Sequence, residues 1–250
     1  MKKYELTTTM IMHRGKKLFQ IKALISFGSV KEGDLGGFIE KEDNLSQSGN
    51  AWVFGNAWVF GNAEVSGDAM VFGNARVFGN ARVFGYAKVS SNAEVFDDAS
   101  VFGNAEVSGD ARVYGNAMVY GYARVFRNAR VFDDARVFRS ARVFDDASVF
   151  GNARVYGDAR VYGSASVYDN AEVSGDAKVF DYARVFDDAR AFDDASVSGN
   201  ARVYGNARAF DNASVYGNAR VYDNAKVYGN AWVYGYAEVH GDAEVYGECY

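Results

Sequence analysis

From Ala51 onward the chain repeats with a period of six residues, and no other feature limits its fold as much. The unit is Ala-x-Val-(Phe/Tyr/Ser)-(Gly/Asp)-(Asn/Asp), with positions numbered here as slots one to six. Ala fills slot one at 51, 57, 63 and every sixth residue to 243, and Cys249 takes the next such slot. Val fills slot three from 53 to 245, except at Ala191 and Ala209. Thirty-three units run from 51 to 248 without insertion, deletion or phase slip.

Parity converts this pattern into architecture. In extended backbone, alternate side chains point to opposite faces, so Ala and Val share one face while slots two and four share the other. Slot two carries charges such as Arg76, Arg82, Lys88, Glu94 and Arg112. Unpaired charges stay in water. The Ala/Val face is therefore the inside, and the Phe/Tyr positions lie outside with the arginines. Val favours strand geometry, and Gly followed by Asn or Asp supplies the left-handed or turn conformations of a corner. One such short strand cannot bury its inner face alone, but stacked coils can. The expectation is an all-β fold, a parallel β-solenoid with a thin core of Ala and Val. Six-periodicity does not by itself fix the number of hexads per coil, and the Ser and Tyr exceptions (Ser66, Ser90, Ser108; Tyr86, Tyr122, Tyr182) show no 18-residue echo.

Residues 1–50 differ in composition. Every Leu and Ile of the chain lies at or before Leu45, and all three Thr lie there too. Two apolar-rich runs, KKYELTTTMIM and KKLFQIKALI, are joined around His13-Arg14-Gly15-Lys16, a hairpin signal. Gly28, Gly33, Gly36 and Gly37 then punctuate a turn-rich stretch. The division expected is an N-terminal β capping segment, 1–50, followed by the repeat region, 51–250.

Val53-Phe54-Gly55-Asn56-Ala57-Trp58 resembles the hexapeptide-repeat left-handed β-helix superfamily, whose pattern is an aliphatic residue, turn residues and then a small residue. The resemblance implies a left-handed β-helix with three hexads per triangular coil, hence about 11 coils, and ~50 Å of stacked strands at ~4.8 Å each. Gly33-Asp34-Leu35-Gly36-Gly37-Phe38-Ile39-Glu40, with Asn44-Leu45-Ser46-Gln47 and Gly49-Asn50-Ala51-Trp52-Val53, resembles more closely the YdcK-like bacterial and phage hexapeptide-repeat proteins, some labelled polymer-forming cytoskeletal. That likeness spans nearly the whole chain and implies the fold more than an activity. The wider superfamily implies acyltransferase chemistry with acetyl-CoA or a related donor, a trimer and a catalytic His.

With three hexads per coil, one outer ladder reads Phe60, Phe78, Phe96, Tyr114, Phe132, Phe150, Tyr168, Phe186, Tyr204, Tyr222, His240. Serines interrupt the other two ladders, at Ser90, Ser108 and Ser198 on one and at Ser66 and Ser174 on the other. Such a stripe exceeds the apolar patch a soluble monomer normally exposes. It reads either as a wall for a partner or as a self-contained stack, ring on ring, with slot-two arginines laid over the rings.

The remaining composition removes function classes. A net charge of -5 with interleaved signs does not suit a nucleic-acid stripe. No apolar run approaches the ~18 residues of a membrane span, and no signal peptide is visible, so the expected location is the cytoplasm. One Cys and two His exclude a disulfide framework and multi-Cys or three-His metal sites. His13 falls in the hairpin turn and His240 takes an aromatic slot, while Cys249 takes the inward Ala slot; none reads as catalytic. No cofactor and no metal are expected. The open end of a solenoid invites association unless covered, so Tyr234, Tyr236, His240, Tyr246, Cys249 and Tyr250 form a candidate self-association interface, with an end-to-end dimer as one form. The expected function is a non-catalytic, rod-like structural or binding scaffold that forms homo-oligomers and meets a protein or glycan partner. The alternatives are a hexapeptide-type acyltransferase and a glycan-binding fibre using the aromatic ladder.

Overall fold

The computed structural model describes residues 2–247. They form two compact units, Met1–Gly121 and Tyr122–Tyr250. No α-helix occurs among the described residues.

In the first unit, strand β1 (Tyr4–His13) pairs antiparallel with β2 (Lys16–Ala23), His13 opposite Lys16. The connecting residues Arg14 and Gly15 both have positive φ, at 46° and 80°, which matches the twist of a two-residue hairpin. Strand β3 (Leu35–Ile39) pairs antiparallel with β2 on one side and parallel with Trp58–Val59 on the other. The parallel ladder thus starts at Phe38, and Leu45 bridges Val65 in the same sense. At Gly37 a Cβ would lie 2.5 Å from the Ala57 carbonyl oxygen, so β3 reaches the first hexads only with glycine there.

Each hexad contributes a strand of two or three residues, slots two and three, and pairs in parallel with the hexad eighteen residues later. Lys88↔Glu106, Glu94↔Arg112 and Ser100↔Met118 show this on the three sides of the first unit. Arg124↔Arg142, Arg130↔Ser148 and Arg136↔Arg154 show it in the second. Three hexads therefore make one coil in both units, the parallel β-solenoid expected from parity. The backbone N–H groups of slots two, four and six donate to the coil above, as at Arg202 to Ala219, Tyr204 to Val221 and Asn206 to Asp223, 2.7–2.9 Å. The slot-one N–H closes its own corner, as at Ala207 to Tyr204, 3.4 Å.

Slots one and three carry the core. From Ala51 to Val233 every Ala of slot one and every residue of slot three is fully or almost fully buried. Each buried Val side chain contributes roughly 1.5–3 kcal/mol relative to exposure. Charges of slot two lie outward, as parity requires.

Candidate functional site

The aromatic ladder forms in register. In the first unit Phe60, Phe78, Phe96 and Tyr114 stack at 4.9–5.0 Å between ring centroids and within 3° of parallel. In the second unit Phe132, Phe150, Tyr168, Phe186, Tyr204, Tyr222 and His240 stack at 4.8–5.2 Å. The rings face one another along the coil axis, so each covers its neighbours' faces. Phe78 to Tyr222 are consequently half-buried, Phe60 is buried, and only His240 is exposed. An open apolar stripe on this ladder does not form, and the self-contained stack describes it.

The arginines also depart from expectation. Among the described residues, slot-two guanidinium groups lie over rings at Arg76 on Trp58, 4.8 Å, and Arg124 on Phe126, 5.6 Å. Elsewhere slot two builds its own column. Glu94 sits between Arg76 (3.5 Å) and Arg112 (3.4 Å), one carboxylate oxygen to each. Glu172 sits likewise between Arg154 (3.6 Å) and Arg190 (3.7 Å). Corner amides form a third kind of column: Asn62 donates to Asn80, Asn80 to Asp98, and Asn152 to Asn170, 2.9–3.2 Å.

Highly exposed aromatics recur at slot six, where Tyr replaces Asn or Asp. Tyr86, Tyr122 and Tyr182 are 62–67% exposed and Tyr236 85%. Of these only Tyr236 stands out as a site candidate in the sequence; their signal was an aromatic in a slot otherwise held by polar corner residues. Trp232, Tyr234 and Tyr246 of the same last coil are exposed as well. Cys249 and Tyr250 lie outside the described residues.

His13 is not simply a solvated turn residue. Its ring packs on Trp58 at 4.9 Å and Phe60 at 5.4 Å, closing the lower end of the ladder. That packing, then Arg76 and Arg14, hold its pKa below the usual imidazole value. His240 closes the upper described end on Tyr222, 5.2 Å. Among the described residues, no group of three His, Cys, Asp or Glu is arranged to hold a metal ion, and no helix is long and apolar enough to cross a membrane.

A solenoid of three hexads per coil, with its inward Ala and Val, is a hexapeptide-repeat β-solenoid protein. The YdcK beta-solenoid repeat matches residues 75–91, 111–127, 153–169 and 195–210 of this chain. No curated protein matches it. Among solved structures it is similar to an Arabidopsis UDP-N-acetylglucosamine acyltransferase, at 14% identity over 72% of this chain and 70% of that one, with a TM-score of 0.39.

Proposed function

We propose that the chain is a non-catalytic scaffold that presents its outer columns to a partner and associates with copies of itself. The observation that supports this reading is the regularity of the outer surface. Rings, corner amides and slot-two charges each recur at one coil spacing, as between Phe186 and Tyr204 or Asn206 and Asn224. Both histidines pack against aromatic rings, His13 tilted or edge-on and His240 stacked, a structural use. The exposed rings of Trp232, Tyr234, Tyr236 and Tyr246 in one coil supply an apolar surface for self-contact.

Light scattering on the full chain at about 50 μM tests self-association, a range that captures contacts of modest affinity. The scaffold reading expects a mass above the monomer that falls in the Trp232→Lys/Tyr246→Lys variant. A monomer at that concentration overturns self-association. Acetyl-CoA turnover that disappears in His240→Ala or His13→Ala would overturn the non-catalytic reading and establish the acyltransferase alternative.

A further inference from the structure

One slot-two column of the second unit sets three arginines in succession with no acid among them. Arg184 pairs in register with Arg202, and Arg202 with Arg220. Like charges placed opposite one another on neighbouring strands repel. At Glu94 and Glu172 the chain relieves this by setting a carboxylate between two arginines. Here the only carboxylate in the second-unit part of the column is Glu238, at its upper end. It accepts from Arg220 at 3.1 Å and from the Tyr222 hydroxyl at 3.3 Å. Among the described residues, the guanidinium groups of Arg184 and Arg202 make no hydrogen bond and no ion pair. The flanking carboxylates are engaged with backbone: Asp181 accepts from the Gly199 N–H, Asp187 from Gly205 and Asp223 from Gly241, 3.1–3.3 Å.

Beside this column runs the corner column Tyr182, Asn200, Asn218, Tyr236. Asn200 donates to Asn218 at 3.3 Å. The amide ladder stops there, because tyrosines replace the next amide on both sides. The Asn218 amide nitrogen and the Asn200 amide oxygen are left for another partner. Arg202, Arg220, Asn200, Asn218, Tyr236 and Glu238 line a recess of about 240 Å³. The exposed Tyr236 ring stands at its upper side, and the Tyr182 ring is the next in the corner column below Asn200. Three coils separate the two rings, roughly 14 Å at the strand spacing of a sheet.

We propose that this recess binds a short acidic oligosaccharide. An acid group of the sugar pairs with the guanidinium of Arg202, which lines the recess and which no carboxylate among the described residues engages. Guanidinium groups suit that role because their fork matches a carboxylate or sulfate. Sugar hydroxyls pair with the free donor and acceptor of the two Asn amides. The apolar face of a sugar ring packs on Tyr236. Three nearby aspartates and a net charge of -5 oppose a densely charged polymer such as nucleic acid. An acidic peptide has the charge without the hydroxyls. The inference goes beyond the scaffold reading and does not depend on self-association.

The test is calorimetric titration of the full chain with four probes: tetragalacturonate, tetramannuronate, sialyllactose and a sulfated heparin tetrasaccharide. Methyl-esterified tetragalacturonate, tetraglutamate and tetrathymidylate serve as comparisons. At least one acidic sugar is expected to bind at least about tenfold more tightly than the comparisons, the loss expected when a charge-assisted pair is removed. Arg202→Gln and Tyr236→Ala are each expected to weaken it about tenfold, Asn218→Ala about threefold, and Arg154→Gln, whose guanidinium is paired with Glu172 on another face, not at all. Preference for the sulfated probe keeps the site and makes sulfate its anion. Absence of binding by all four acidic sugars overturns the proposal, as does binding unchanged in Arg202→Gln or equalled by tetraglutamate or tetrathymidylate. Circular dichroism and light scattering on each variant keep loss of fold and loss of self-association separate from loss of sugar.

Discussion

At the scale of single residues, slot five decides whether a corner can close. All slot-five residues from Gly55 to Gly247 have positive φ, between 55° and 88°. Glycine meets this without cost, whereas an L side chain pays roughly 1–2 kcal/mol. Asp is nevertheless the usual substitute, and the coil above explains why. Where glycine occupies slot five of the next coil, the Asp carboxylate accepts its N–H, as Asp187 does from Gly205 at 3.1 Å and Asp211 from Gly229 at 3.1 Å. Asp187→Ala therefore loses this bond and keeps the backbone strain, and should lower unfolding stability by about 1–2 kcal/mol. Asp187→Gly loses the bond but removes the strain and should return close to the parent. Urea denaturation of the three proteins measures both; equal losses in Ala and Gly would show that strain plays no part. The corner itself was legible from Gly-Asn and Gly-Asp pairs. The role of Asp was not, because its partner lies eighteen residues away and the hexad period does not state how many hexads complete a coil.

At the scale of elements, the cap shows what pattern reading misses. The hairpin around Arg14-Gly15 follows from composition and turn chemistry. The polar groups buried beneath it do not. Lys3 is 2% exposed, and its ammonium donates to the Ala51 carbonyl at 2.9 Å. Asn44 is fully buried, donating to Gly61 and Ala63 carbonyls while accepting from the N–H groups of Glu40 and Lys41, 2.9–3.2 Å. The Tyr4 hydroxyl lies 2.6 Å from the Leu45 carbonyl. Backbone groups at the start of a parallel ladder need partners, and here long side chains from β1 and the turn after β3 supply many of them. From sequence alone a lysine reads as surface, so this use was invisible. Burial lowers the Lys3 pKa to about 8, against an opposing pull from Asp68. The unfolded chain holds that proton until about pH 10.4. Between these values the unfolded state binds more protons, so stability rises with pH, by about 1–3 kcal/mol from pH 8 to 10. Above pH 10 the trend reverses. Tyr4, whose pKa is raised by burial and then by Glu42 and Asp43, keeps its proton in the fold while the unfolded phenol ionises. Urea midpoints followed by Trp52 and Trp58 fluorescence in a Trp232→Phe background should rise from pH 8 to 10. Lys3→Met should flatten that rise; an unchanged slope would show that Lys3 is not its source.

At the scale of the whole chain, the contacts that matter join residue i to residue i+18 or close a corner locally, so stability accumulates coil by coil. The sequence states this additivity in its unbroken period; what it could not state was the unit of addition, which the register sets at eighteen. Removing Ala201–Asn218 from the second unit takes out one coil. It leaves Arg184 facing Arg220, Phe186 facing Tyr222 and Val185 facing Val221, like on like, since Arg202 and Tyr204 held the same places. Four corner bonds go with it, Asp187 to Gly205, Asn200 to Asn218, Asn206 to Asn224 and Asp211 to Gly229, the last replaceable by Asp193, about 1 kcal/mol each at most in exposed positions. This deletion should fold, with a melting temperature a few degrees lower. Removing only Ala201–Val203 deletes one strand and leaves two corners in succession. Val185 loses its neighbour, and the coils above cannot keep both parity and register. That variant should lose its cooperative melt or show a separate early transition. Circular dichroism melts of the two deletions decide the matter: if the longer deletion unfolds the chain, or the shorter one melts like it, stability does not accumulate coil by coil.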